Sequence, residues 1–334
     1  MSMFRKASSV ALLAAAFCAV AGPSLADGEK EIKVGTLAPK SSPWGKVFQI
    51  WQDAVAEQSN GNMKVTFYWN GSQGDEVAMV DKMLGGSQLD AVAATAVGLS
   101  KIWRPILALQ TPGLFRSWGA LDKARDSMMA DINSNFESKG VIHLGSGDVG
   151  IAHVMSKGFD VHGPDSLQGK SPYMWTDDAI APVLYRIIGG VTPKPLSVPA
   201  VLPALNSGAV DVVNAPALAA QQLQWASKLD HVVEQASGIG IGALIMKKST
   251  LDDLSEDQRK IIKDTGAVAA KGLTDRIRKA DAHAFANLKK KMTVNTLTDD
   301  EQKAWEDVFN KTREALKQGV FDAALIGKLE GMKG

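Results

Sequence analysis

Cysteine is almost missing from this chain: one residue, Cys18, in 334. It lies within 10–21, an uncharged apolar run too short to cross a bilayer comfortably. Arg5 and Lys6 precede the run and Ser24-Leu25-Ala26 follows it, the order of a secretory signal with a small-x-small cleavage site. Residues 1–26 therefore read as a cleaved signal peptide rather than an N-terminal anchor, and the mature chain is expected to start at Asp27 in the periplasm. Phe17 stands where a lipoprotein signal needs a small residue, which argues against lipidation of Cys18. Beyond Ala26 no cysteine remains, so the mature chain has no disulfide, thiolate ligand or cysteine nucleophile. An exported chain without disulfides must be held by its core, and about 308 residues suffice for two domains.

Other absences narrow the function. No later stretch holds 18 unbroken apolar residues. Arg5 and Lys6 are the only charges before Asp27, so 35 basic residues face 36 acidic ones, and no basic stripe marks a nucleic-acid partner. The five histidines are scattered, with no H-E-x-x-H and no paired metal spacing, and G-x-S-x-G is missing. No cofactor, metal site or catalytic set is expected. His143 and His153 read as structural hydrogen-bonding residues, and Asp252-Asp253 and Asp299-Asp300-Glu301 as charges favouring helix N-termini. Aromatic residues make up only 6% of the chain, which singles out Tyr173-Met174-Trp175.

Strand and helix signals alternate. Residues 32–37 alternate like a strand, and Pro43 opens a helix with an apolar face of Val47, Phe48, Trp51 and Val55. Strand 63–69, helix 76–84, strand 89–95, helix 118–138 and strand 141–144 follow, an order that predicts an α/β sheet with right-handed crossovers. A second unit begins near Ile151, with strands 151–155, 172–176 and 210–213 and helices 179–188, 202–207 and 218–229. The Gly-rich segment 239–246 reads as a return crossing, and long helices 252–291 and 298–317 finish the chain. The expected domains are 27–150 plus about 236–270, and 151–235 plus about 271–334, hinged near 148–151 and 236–242, where Gly147, Gly150, Gly238, Gly240 and Gly242 give backbone freedom.

Two motifs invite a nucleotide reading and fail. Gly145-Ser146-Gly147-Asp148-Val149-Gly150 matches G-x-G-x-x-G, but the next residues alternate like a strand where a helix N-terminus should meet the pyrophosphate. The alternative is a flexible crossing between lobes. Gly169-Lys170-Ser171 matches the end of a phosphate loop, but Pro164 stands where the first glycine belongs and Pro172 stops the helix.

The segments "IKVGTLAPKSSPW" (32–44), "GSQGDEVAMVDKMLGGSQLDAV" (71–92), "LALQTPGLFRSW" (107–118), "DSLQGKSPYMW" (165–175) and "VPAVLPALNSGAVDVVNAP" (198–216) carry a resemblance in their order and spacing. The mature chain resembles the DctP-type substrate-binding proteins of tripartite ATP-independent periplasmic (TRAP) transporters. The resemblance implies an α/β, two-lobed, type II-like binding protein with a hinge cleft and a long helix, here 252–291, across both lobes. It also implies a non-enzymatic role: closure on a small molecule and delivery to a TRAP permease. In typical members an arginine after "D-L-x-G-x-K" grips the ligand carboxylate, and a second follows the fourth strand. Laid on this chain they fall at Tyr173 and Ala152, so both cations are missing and the chain resembles an atypical branch.

That departure predicts a neutral or largely apolar ligand, walled by Tyr173 and Trp175 on one strand face. The alternatives are that these rings only fill a lobe core, or that Arg116, Lys157, Lys170 or Arg186 supplies a displaced cation for an organic anion. An exported sensory module sharing the fold is a further alternative. Strand ends add Trp44, Gln73, Thr95, Asp148, Asn214 and Pro216 as ligand-binding candidates. Val213 and Asn214 offer no carboxylate where metal-assisted members carry a glutamate, so no metal is expected there.

Overall fold

Strand β1 (Lys30–Thr36) lies between two parallel neighbours, β2 (Met63–Tyr68) and β3 (Ala91–Thr95). The computed structural model describes residues 29–86 and 88–333, so the signal-peptide expectation for 1–26 lies outside the described residues. The crossover from β1 to β2 is the helix Pro43–Gln58, which starts where its sequence says it should. Ser42 Oγ accepts from Gly45 N at 3.1 Å, Pro43 fills the first turn, Val47 is buried, and Phe48, Trp51 and Val55 pack at helical spacing with Met63, Val65 and Phe67 of β2.

Seven further strands complete the described sheets. These are β4 (Val141–Ser156), β5 (Tyr173–Trp175), β6 (Lys194–Leu196), β7 (Val212–Pro216), β8 (His231–Val233), β9 (Gly238–Lys247) and β10 (Thr293–Asn295). The main sheet runs β10-β8-β4-β9-β3-β1-β2, with β7 also paired to β4; β5 and β6 form a separate parallel pair. Two long antiparallel strands hold both halves together. Residues 141–148 of β4 pair with the C-terminal part of β9, which in turn pairs with β3. Residues 152–156 of β4 pair with β7 and β8 in the other half. The expected flexible crossing at 145–150 is therefore a continuous paired strand, bent by bulges between His143 and Gly145 and between Asp148 and Gly150.

The glycines of that crossing also make room for a packed helix. A helix, Glu256–Lys289, lies directly on β4. A Cβ at Gly145 would sit 2.4 Å from Ala270 Cβ, one at Gly147 would sit 2.7 Å from Leu273, and one at Gly150 would sit 2.5 Å from the Asp281 carboxylate. Gly150 also has φ +143°, which disfavours any side chain. The G-x-G-x-x-G spacing is thus the footprint of a helix packed against bare backbone.

This long helix starts with a capping box between Ser255 and Gln258 and spans both lobes. Near its start Thr265 Oγ1 accepts from Trp51 Nε1 at 3.0 Å in the first half. Near its end Asp281 accepts from Ile151 N at 2.8 Å and Leu218 N at 2.9 Å in the second. Burial raises the Asp281 carboxyl to about 6 despite those donors. The last helices, Asp299–Lys317 and Ala323–Glu330, turn back: Leu316, Ile326 and Leu329 join the core built on Met79, Leu121 and Phe136. The start of the helix Asp299–Lys317 packs on the second half, where Trp305 and Phe309 join Val154, Val161 and Leu167.

Candidate functional site

A cavity of about 310 Å³ opens where the strand ends of the two halves face each other. Trp44, Thr95, Asp148, Tyr173, Trp175, Asn214 and Pro216 all line it, so the structure brings together seven of the eight residues expected from the sequence. Gln73 is the eighth and does not line it; its Oε1 accepts from Lys82 Nζ at 3.2 Å. The tight turn through Gly71 and Gly74, both at positive φ, brings Asp75 instead to the cleft rim.

Asp75 joins the two halves. Its Oδ1 accepts from Glu76 N and caps the helix Glu76–Gly85. Its Oδ2 accepts from Trp175 Nε1 and from Val198 N, each at 2.9 Å, and both donors belong to the opposite half. One carboxylate thus fixes the cleft aromatic and the N-terminus of the helix Val198–Ser207. Trp44, at the start of its helix, donates from Nε1 to Asp148 O at 3.3 Å.

Tyr173 does two things. Its ring meets Trp225 edge-on at 5.7 Å and packs among Val198, Val201 and Leu218, which is the core-filling alternative. It also lines the cavity, and its hydroxyl is buried without a hydrogen-bond partner. Both roles hold at once. The positions expected for the two arginines, Tyr173 and Ala152, are both in the cavity lining.

No lysine, arginine or histidine lines the cavity among the described residues. Arg116 pairs with Glu306 at 2.6 Å, Lys157 Nζ donates to Leu205 O, and Lys170 lies over the Phe159 ring. None of these, nor Arg186, lines the cavity. Acidic groups are present. Glu76 is buried and accepts from Thr95 N (2.9 Å), Thr95 Oγ1 (2.8 Å) and Gly98 N (3.0 Å), yet burial outweighs these donors and raises its carboxyl to about 7. Asp178 is likewise raised by burial, with only backbone donors such as Ile180 N at 2.8 Å.

Asp148 differs. Its side chain turns away into a salt-bridge network in which Arg125 Nη1 (2.7 Å) and Arg278 Nε (2.6 Å) donate to its two oxygens. Both arginines also bind Asp122, and Arg278 stacks over Trp118. Its backbone lies at the cleft and its charge belongs to the hinge. Sequence reasoning missed Asp75 and Glu76, whose place at a helix start reads as ordinary capping, and Asp178, Tyr185 and Trp225.

Known proteins share this architecture. The profile described as "Bacterial extracellular solute-binding protein, family 7" (DctP) matches residues 34–319. A TRAP periplasmic solute-binding protein from Sulfurospirillum deleyianum, solved with bound succinate, superposes with a TM-score of 0.83 over 92% of this chain and 100% of its own, at 18% identity. One from Ralstonia eutropha, bound to (S)-2-acetolactate, gives 0.82 over 90% and 98%, at 22% identity. The galactonate complex of a sugar acid binding protein from Advenella mimigardefordensis gives 0.84 over 91% and 98%, at 17% identity.

Proposed function

Because this chain belongs to the family-7 (DctP) bacterial extracellular solute-binding proteins, whose members capture small molecules for TRAP permeases and are not enzymes, we propose that its own ligand is neutral and largely apolar. The observation that carries this reading is the cavity lining, which has six aromatic side chains, Trp44, Phe48, Tyr173, Trp175, Tyr185 and Trp225, and no basic group among the described residues. A carboxylate enclosed here would find no counter-charge and would face Glu76 and Asp178, a costly burial. The structural neighbours were solved with acetolactate, succinate and galactonate bound, all organic acids, so the proposed ligand class rests on the cavity lining of this chain and not on its neighbours.

Closure would bring the lobe around 30–150 onto the lobe around 151–235, with Asp75 engaging Trp175 and Val198 as the cleft shuts. Export with cleavage after Ala26 belongs to the same reading, supported by the extracellular setting of the family and the periplasmic one of its solved relatives.

Calorimetric titration of the purified protein with succinate and galactonate, against uncharged apolar compounds of similar size, tests the ligand class. The expected result is no measurable heat from either acid at millimolar concentration. Micromolar binding of either acid would overturn the reading and return attention to a displaced cation such as Arg116 or Arg186.

A further inference from the structure

One side-chain amide in the cleft is held by the fold at one end only. Gln110 closes the short 3-10 helix Arg104–Gln110 and lines the cavity, half-buried. Its Oε1 accepts from Ile241 N of β9 at 2.9 Å. A backbone N–H can only donate, so this bond fixes which end of the amide is oxygen and leaves Nε2 at the other. Nε2 has no acceptor among the described residues, and it is not sealed inside the protein as Tyr173 Oη is. Other donors of the lining are spent on the protein: Thr95 Oγ1 on Glu76, Trp44 Nε1 on Asp148 O and Trp175 Nε1 on Asp75.

The backbone beside Gln110 is bare. Gly238 lines the cavity at the start of β9, has no positive φ, and a Cβ built on it would meet only Gln110 O, at 3.8 Å. Neither strain nor packing within the protein calls for glycine there, in contrast to Gly145, Gly147 and Gly150. What this glycine provides is open space over the strand next to Gln110. Asn214 reaches the same strand start: its Oδ1 accepts from Oγ of Ser237, the residue before Gly238, at 2.6 Å. Asn214 lines the cavity, is exposed, and its Nδ2 has no acceptor among the described residues.

The free groups are therefore N–H donors without charge. A carboxylate would receive hydrogen bonds from them and no counter-charge. A hydroxyl would need an acceptor for its own proton, and both amide oxygens are already taken by Ile241 and Ser237. An uncharged carbonyl oxygen accepts two hydrogen bonds and needs nothing in return. We propose that Gln110 is a ligand-binding residue whose Nε2 donates to an uncharged carbonyl oxygen, of a ketone, ester or amide, seated over the bare backbone at Gly238, with Asn214 Nδ2 as a second donor. This inference rests on the non-anionic reading above and adds the polar group that the apolar ligand carries.

Calorimetric titration of the full chain with 2-octanone, 2-octanol and octanoate tests it, in the wild type and in Gln110→Glu. The glutamate keeps an oxygen for Ile241 N and replaces the free donor by an acceptor, with the fold checked by circular dichroism. The variant should bind the ketone about 10-fold or more weaker than the wild type does, the scale of one hydrogen bond lost against an acceptor. The alcohol can donate to the new carboxylate and should change by less than about 3-fold. Gly238→Ala should also weaken the ketone, by about 5-fold, with an unchanged melting temperature, because its methyl fills ligand space and clashes with no protein atom. An unchanged ketone affinity in Gln110→Glu, or an equal loss for ketone and alcohol, overturns the carbonyl subsite and leaves the non-anionic reading standing. Octanoate as the tightest of the three in the wild type overturns both. Failure of the wild type to bind the ketone overturns the subsite.

Discussion

The hinge and the cleft treat buried charge in opposite ways. At the hinge, Asp148 is fully enclosed and both of its oxygens are held by arginines, Arg125 and Arg278, which share Asp122 as a second partner. The neighbouring cleft has the buried carboxyl of Glu76, the half-buried one of Asp178, and no arginine, lysine or histidine among the described residues. Both regions are desolvated, so composition alone does not separate them. The difference is completeness: the hinge network satisfies its own groups, and the cleft leaves Tyr173 Oη unpaired. Complete networks stabilise a fold, and an unpaired buried group costs it stability.

Breaking the hinge should have the largest effect. Asp148→Ala leaves Arg125 and Arg278 without their shared buried partner, and urea unfolding should show a loss of about 3–5 kcal/mol. A loss under about 1 kcal/mol would mean that Asp122 alone holds both arginines and that the hinge is not the charge-complete region described.

The next contrast concerns pH. Glu76 is raised from 4.5 to about 7 in the fold, chiefly by burial. Its folded pKa exceeds its unfolded one, so its contribution to stability is present in full below pH 4.5 and is lost as pH rises through about 7. Glu76→Gln removes this dependence. The stability of wild type relative to variant should therefore fall by up to about 3 kcal/mol between pH 4.5 and 7 in parallel thermal melts. A gap independent of pH would show that the cleft carboxyl is fully served by Thr95 and Gly98.

Smaller effects are expected on ligand binding. Trp175→Ala removes a cavity wall and should weaken an apolar ligand by about 1.5–3 kcal/mol with the fold intact. Trp175→Phe keeps the wall and removes only the indole donor to Asp75, so it should cost about 1 kcal/mol. Equal losses in the two variants would assign the whole effect to the cross-cleft bond. Asp75→Ala, which removes both cross-cleft acceptor contacts, should weaken binding by about 1–2 kcal/mol, chiefly through faster release. Small-angle scattering should then show a larger radius of gyration at equal ligand saturation.

Much of the fold was legible because its long elements carry strong periodicity. The expected helix 118–138 coincides with the observed Trp118–Ser138. The long helix is Glu256–Lys289 within the expected 252–291, and Ser255 with Gln258 supplies a start signal that the charge pattern alone blurred. Three-residue strands such as β6, β8 and β10 were not legible, because two or three residues carry no period and only register with a neighbour defines them. The expected helix 218–229 ends at Gln222 because Gln224 adopts φ +64°, a conformation that its residue type does not advertise.

At the site, residues near strand ends such as Thr95 and Pro216 were legible because ligands of such sheets gather there. Asp75 was not. Its sequence neighbourhood describes a helix cap, and the contact to Trp175 is 100 residues distant in the chain. The expectation fell on Gln73, two residues away, because turn geometry at Gly74 decides which side chain reaches the rim.

Whether the cleft takes a ligand without a carboxylate is decided by mass spectrometry of what co-purifies with the protein. Organic extracts of wild type and Trp175→Ala, purified under native conditions in parallel, would be compared at equal protein. An uncharged, largely apolar compound is expected, enriched in the wild type and depleted in the variant. A carboxylate-bearing metabolite at near-stoichiometric occupancy, unchanged in Trp175→Ala, would contradict it.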